Sequence, residues 1–196
     1  MLATLEICET GAQTGAAAHV VHCSLSRGYD IAADYRTRGF HASIECCIHY
    51  LTLDEENDVR RLGGKARINP PIRPRAEVEA LWRQVSAGNV TLFVKGALQR
   101  GVPLTWAARL MAENPARHFR LGTKGALEAG KGADITVLVD RPMVHDAARS
   151  GHNVVGWSPY NGTELPWTVA RTWLRGRQVL DGKNVAEPAT GQWVRP

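Results

Sequence analysis

The sequence predicts an α/β chain with parallel strand pairing, followed by a smaller β-rich region, and three observations carry that prediction. Helix-period and strand-like segments alternate up to about residue 121, each segment is closed by a glycine or proline signal, and from Gly122 the composition shifts toward Gly, Thr, Val and Trp. Strands separated by helices pair in parallel through crossovers. The 196 residues can bury a sizeable core, but they fall short of the roughly 250 that a complete closed (β/α)8 barrel takes. The expected domains are residues 1–121 and 122–196.

Leu5, Cys8 and Ala12 lie at helical spacing on a first helix that Gly15 can end, and residues 18–23 follow as a short apolar strand. Residues 29–38 read as a helix with Gly39 past its end, and residues 40–47 as a second strand. Thr52 or Asp54 can cap a third helix ended by Gly63 and Gly64. Residues 65–69 read as a brief strand stopped by Pro70 and Pro71. Pro74 fits a first helical turn ahead of Val78, Leu81, Trp82 and Val85, and Gly88 closes that helix. Residues 90–94 are a fourth strand, with helices expected at 95–100 and at 105–119, the latter capped by Thr105. In the β-rich region, strands are expected at 134–139, 168–174 and after Arg175-Gly176, with 141–167 as a long connection.

With 44% hydrophobic and 22% charged residues the composition is that of a soluble globular protein. Lys plus Arg is 24 against 19 for Asp plus Glu, a net charge of +5. The basic residues stand singly or in short groups between carboxylates, with no aromatic-studded basic stripe, which argues against a nucleic-acid partner. No basic leader precedes an apolar block and nowhere do 18 apolar residues run together, so no membrane is expected and the location expected is cytoplasmic. Cys8, Cys23, Cys46 and Cys47 give neither a disulfide framework nor a recurring CxxC pair, and read as buried reduced thiols.

Chemistry in a parallel α/β array collects at the carboxyl ends of strands. His22 follows the apolar run from His19, and His49 follows the strand that holds Ile44. Successive strand-plus-helix units bring two such rings over one rim, where neutral imidazoles suit a divalent metal such as zinc; the alternative is a pair of hydrogen-bonded histidines. Cys23 or Cys46 could add a thiolate, though each reads better as a small buried hydrophobe. His41, His118, His145 and His152 read as surface or local hydrogen-bonding residues. Trp82, Trp106, Trp157, Trp167, Trp173 and Trp193 read as packing residues, and Asp134 as a turn-fixing carboxylate. Ser24 has no third group to make it a nucleophile.

His19-Val-Val-His22-Cys-Ser24, Glu45-Cys-Cys-Ile-His49-Tyr-Leu-Thr52, Asn69-Pro-Pro-Ile-Arg73 with Glu79-Ala-Leu-Trp82, Glu113-Asn-Pro-Ala-Arg117 and Gly130-Lys-Gly-Ala-Asp-Ile135 occur in that order. Together they resemble the C-terminal half of the cyclic amidohydrolases, the group of allantoinase, hydantoinase (dihydropyrimidinase) and dihydroorotase, with an internal deletion. Ser158-Pro-Tyr-Asn-Gly162 and Gly191-Gln-Trp-Val-Arg-Pro196 are most similar to allantoinases. The resemblance implies a partial (β/α)8 TIM-type barrel, from the region of strands five to eight, and a small C-terminal β-sandwich region. It implies hydrolytic ring opening of a cyclic ureide or imide at two zinc ions, as in purine catabolism, with His22 and His49 as metal ligands and Asn69 as a substrate-binding residue.

Departures from the family pattern limit what the resemblance implies. Ile48 stands where the family usually has proline. No His-x-His occurs in the 196 residues, and the eighth-strand aspartate that manages the proton has no counterpart after Val94, so no catalytic residue is assigned. Lys95 follows the wrong strand to be the bridging lysine. Weak or absent activity of the chain alone is expected, with a homo-oligomer or a partner amidohydrolase chain completing it. The alternative function is a non-catalytic interaction module, or truncated remnant, that associates with a full-length amidohydrolase.

Overall fold

The first glycine stop forms as expected: α1 (Leu2–Thr14) ends at Gly15, whose φ of 72° is the left-handed conformation that glycine adopts without a Cβ penalty. The chain then enters β1 (Ala18–Val20), crosses over through α2 (Ser26–Thr37) to β2 (Ala42–Cys47), and reaches β3 (Leu92–Val94) after α5 (Arg75–Ser86). The three strands form one parallel sheet in the order β1-β2-β3, with Val20 opposite Ile44 and Cys47 opposite Val94. Alternation along β2 puts Ala42, Ile44 and Cys46 on one face and Ser43, Glu45 and Cys47 on the other.

The helices cover the first of these faces. Gly28 lets α2 approach closely, because a Cβ there would lie 2.5 Å from the Cys23 sulfur and 3.6 Å from Ile44 Cδ1. Tyr29, Ile44, Cys46, Tyr50, Leu51, Val78 and Leu81 are almost fully buried and form the core. Burial of each large apolar side chain among them contributes roughly 1.5–3 kcal/mol. At the amino end of the sheet, Arg36 donates to the carbonyls of Ala42 and Asn89, both at 3.0 Å, and so ties the entries of β2 and β3 together.

The computed structural model describes residues 1–94, 103–149, 153–186 and 191–195, and its contacts divide the chain into units Met1–Ala97 and Leu98–Pro196. This division falls ahead of the 121/122 boundary expected from composition. Residues 104–118 pack on the segment C-terminal to them: Leu121 donates its N–H to the Ala116 carbonyl at 2.8 Å, and Gly125 lies where a Cβ would meet Ala116. In that second unit α6 (Leu104–Ala108), a π-helical turn (Arg109–Glu113) and α7 (Asn114–His118) run on continuously. Pro103, not Thr105, is the residue before the helix, because its fixed φ of −55° sets the entry while Thr105 lies inside the first turn. The helix expected at 95–100, and Lys95 and His152, lie outside the described residues.

An antiparallel sheet follows in the order β4-β7-β8-β9, from β4 (Ile135–Val139), β7 (Thr168–Leu174), β8 (Arg177–Asp181) and β9 (Asn184–Val185). The connection at 141–167 carries a small ladder of β5 (Met143–Val144) with β6 (Glu164–Leu165). Asp134 fixes the start of β4, pairing with Lys124 and accepting the Arg175 N–H at 2.7 Å. Trp193 is 86% exposed and is not the packing residue expected from its type.

Two further departures fall after β2. Residues 65–69 form no strand: Gly63–Ala66 is a 3-10 turn, and the Pro70-Pro71 pair lacks the N–H groups a strand needs. The expected third helix breaks into α3 (Ile48–Thr52), a π-helical turn (Glu55–Val59) and α4 (Arg60–Leu62). Asp54 caps the π-helical turn, accepting the Asn57 backbone N–H at 2.7 Å and side-chain amide at 3.1 Å, and pairs with Arg75 at 3.3 Å. Burial would raise its pKa, but the Asn57 and Arg75 interactions prevail and hold it below the ordinary 3.8. A depressed carboxylate stabilises the fold in full above its unfolded pKa and loses that contribution as pH falls through the folded value. Asp54→Asn is therefore expected to cost about 1 kcal/mol at pH 7 and to flatten the loss of stability below about pH 4, read from urea unfolding midpoints across pH.

Candidate metal centre

The carboxyl ends of β1 and β2 bring their polar side chains to one rim. Regular extension of β1 would send residue 22 to the face of Val20 and Ile44. Instead His22 takes a φ of 54° and closes its ring on the opposite face, over Glu45 and Cys47. Such a conformation costs a non-glycine residue on the order of 1–3 kcal/mol. His22 Nδ1 lies 2.7 Å from Glu45 Oε1 and 3.4 Å from Cys47 Sγ, and the His22 backbone N–H donates to the same carboxylate at 3.2 Å. These three donors lie within 4.8 Å of one another.

The strand ends are locked from below. Tyr29, fully buried in α2, places its hydroxyl 2.8 Å from the Cys23 carbonyl and 2.9 Å from the Glu45 carbonyl, while the Cys23 N–H donates to the Glu45 carbonyl at 3.2 Å. Beside Glu45, His19 Nδ1 is 2.8 Å from Ser43 Oγ and its Nε2 is 3.9 Å from Glu45 Oε2.

His49 lies in α3, one residue beyond the start of the helix that directly follows β2, with its ring edge-on to Tyr50 at 4.2 Å between centroids. Burial, and then the charge of nearby His22, push its pKa below the usual histidine value, so the neutral imidazole is favoured. Both histidines picked out by sequence follow the carboxyl ends of neighbouring parallel strands. Neither cysteine considered there joins them: Cys46 lies on the helix-covered face and the Cys23 thiol donates to the Leu25 carbonyl at 3.4 Å. Cys47 is the thiol beside His22, and Glu45 and Cys47 are the residues sequence reasoning missed. Their spacing of two on a strand was the available signal.

The 69–73 loop is tied to the same rim. Arg73 donates to Ser24 Oγ at 3.0 Å and the Tyr50 hydroxyl donates to the Pro70 carbonyl at 3.1 Å. A cavity of about 280 Å³ is lined by His19, His22, Ser24, Pro70 and Arg73 among others. Asn69 is exposed at the edge of this loop. Imidazole nitrogen, carboxylate oxygen and thiol sulfur are the donor types zinc takes, so the side chains present fit such an ion.

No family model matches the chain. An allantoinase of Rubrobacter xylanophilus is 35% identical over an alignment that takes in 94% of this chain and 48% of that protein, and an allantoinase of Solibacter usitatus is 31% identical with the same two shares. Among solved structures, an L-hydantoinase (dihydropyrimidinase) from Arthrobacter aurescens is similar with a TM-score of 0.85 at 21% identity, covering 93% of this chain and 49% of that one. The chain thus shares the α/β fold of solved hydantoinases. By its allantoinase relatives the chain belongs to the cyclic amidohydrolase family. It spans about half the length of the curated relatives it matches. The first alignment, at 220 positions, is longer than the chain's 196 residues, which requires gaps in this chain. Among the described residues no helix is long and apolar enough to cross a membrane.

Proposed function

We propose that this chain carries one rim of a metal-dependent hydrolase that opens cyclic amides of the allantoin or hydantoin kind, with His22 and His49 as zinc ligands. The observation that carries this reading is the departure of both histidines from neighbouring parallel strands at the same end. A bound zinc ion would supply an activated water and a polarised carbonyl. The chain's own residues have simpler tasks. Glu45 orients the His22 ring, Tyr29 fixes the strand ends beneath it, and Asn69, on the tethered 69–73 loop, contacts the cyclic ureide. In this reading residues 1–121 are a partial (β/α)8 barrel and 122–196 a β-sandwich region, in a cytoplasmic protein of purine catabolism.

Two histidines are fewer than the three protein ligands of a typical catalytic zinc site, and among the described residues no positioned group manages the proton, so turnover by this polypeptide alone is expected near background. Native mass spectrometry should give zinc binding that His22→Ala weakens at least about tenfold, and allantoin opening should be barely detectable. Zinc retained undiminished in a His22→Ala/His49→Ala variant would overturn the ligand assignment, and robust allantoin hydrolysis by the purified chain would overturn its incompleteness.

A second reading, a non-catalytic module that associates with a full-length amidohydrolase, is favoured by the sheet of β4, β7, β8 and β9, in which no residue is buried. Stable recovery of such a subunit, with no zinc-dependent hydrolysis by the pair, would support it.

A further inference from the structure

A second cavity, of about 470 Å³, lies among the π-helical turn Glu55–Val59, the 3-10 turn Gly63–Ala66 and residues 71–74. We propose that it is a ligand site for a zwitterionic α-amino acid with an aliphatic side chain. It shares only Arg73 with the cavity at the strand ends, and the proposal stands independently of any metal or hydrolytic chemistry there.

The walls of this cavity are held by the chain's own contacts. Glu55 donates its N–H to the Arg73 carbonyl at 3.0 Å, the Arg75 N–H donates to Glu56 Oε2 at 2.9 Å, and Asp54 pairs with Arg75 at 3.3 Å. The turn and the 71–74 segment are therefore fixed against each other before any ligand arrives. Val59, Ile68 and Ile72 give the cavity an apolar side, and Gly63 borders it where a Cβ would meet nothing within 4 Å. Its volume is in the usual range of small-molecule sites, roughly 300–1,000 Å³.

The charges that line it single out the ligand. Glu55 and Arg67 both border the cavity, yet they do not pair with each other, and among the described residues neither has an ion-pair partner. Their neighbours do: Asp58 pairs with Arg61 at 2.7 Å, and Asp54 with Arg75. Two opposite charges held apart around one space offer an anchor to an ammonium and another to a carboxylate. An anion alone would leave Glu55 facing a like charge, and a cation alone would do the same to Arg67. A zwitterion satisfies both and lays its aliphatic side chain on Ile68 and Ile72. Arg73 adds a second positive charge to the lining, with its Nε held by Ser24 Oγ at 3.0 Å, so the carboxylate is the stronger anchor.

Calorimetric titration of L-leucine into the full chain, with the site located by backbone amide shifts, tests this. One leucine per chain is expected, with shifts at Gly63, Ala66 and Ile68. Isocaproate, which is leucine without the ammonium, and isoamylamine, which is leucine without the carboxylate, should each bind at least about tenfold more weakly, the amine being the weaker of the two. Glu55→Gln should weaken leucine about tenfold without weakening isocaproate, and Arg67→Met should weaken leucine about tenfold without weakening isoamylamine. Both side chains are exposed, and far-UV circular dichroism checks the fold of each variant. No saturable leucine binding, isocaproate bound as tightly as leucine, affinity undiminished in both variants, or shifts confined to Val20, His22 and Cys23 at the strand ends would each overturn the site.

Discussion

Tyr29→Ala is expected to destabilise the chain by about 3–5 kcal/mol, the range for emptying a large aromatic site in a packed core. The side chain is fully buried between α2 and the sheet, so the surroundings can collapse only partly into the space it leaves. It also carries a hydroxyl within hydrogen-bond distance of the carbonyls of Cys23 and Glu45. Tyr29→Phe separates the two contributions: it keeps the volume and removes the donor, and should cost about 1–3 kcal/mol for the acceptor left without it. Urea unfolding of both variants gives the comparison. A Tyr29→Phe loss equal to that of Tyr29→Ala would show that the hydrogen bonds and not the packing dominate. Because those carbonyls belong to Cys23, which follows His22, and to Glu45, the phenylalanine variant should also loosen the rim these residues form.

Much of this arrangement is legible in the sequence because punctuation and periodicity are local. Gly15, Gly39 and Gly88 adopt positive φ and close the helices they were expected to close. The strands at β1, β2 and β3 were marked by apolar runs, and parallel pairing followed from the helical crossovers between them. His22 and His49 stood out for the same reason, being polar residues where apolar strands stop. The ordered motifs identified the family, and the allantoinase relatives bear that out.

What escaped the sequence depends on conformation at single residues or on contacts distant in the chain. Counting by twos places residues 43, 45 and 47 of β2 on one face, but a strand-period count puts residue 22 on the wrong side, and only its positive φ corrects this. Asp54 was a possible cap, but Arg75, which secures it, comes from α5. Residues 65–69 had the composition of a short strand with no neighbour to pair with.

The cysteines offer the other large effect. Burial pushes the Cys46 thiol from 9.0 up to about 12 and the Cys47 thiol up to about 11. Since only the thiolate is nucleophilic, the reactive fraction at neutral pH falls about a thousandfold for Cys46 and about a hundredfold for Cys47. Iodoacetamide labelling of the native chain, followed residue by residue with mass spectrometry, should show both lagging a free cysteine by at least these factors, with Cys46 the slower. All four cysteines should react alike in denaturant. Any faster reaction of Cys46 must pass through an opening that lifts α2 from the sheet, since that thiol lies on the helix-covered face. Tyr29→Ala should accelerate it about tenfold for each 1.4 kcal/mol by which it lowers the free energy of that opening. Labelling of native Cys46 at the rate of a free thiol would mean that α2 does not cover β2, and the rim built on that contact would lose its foundation.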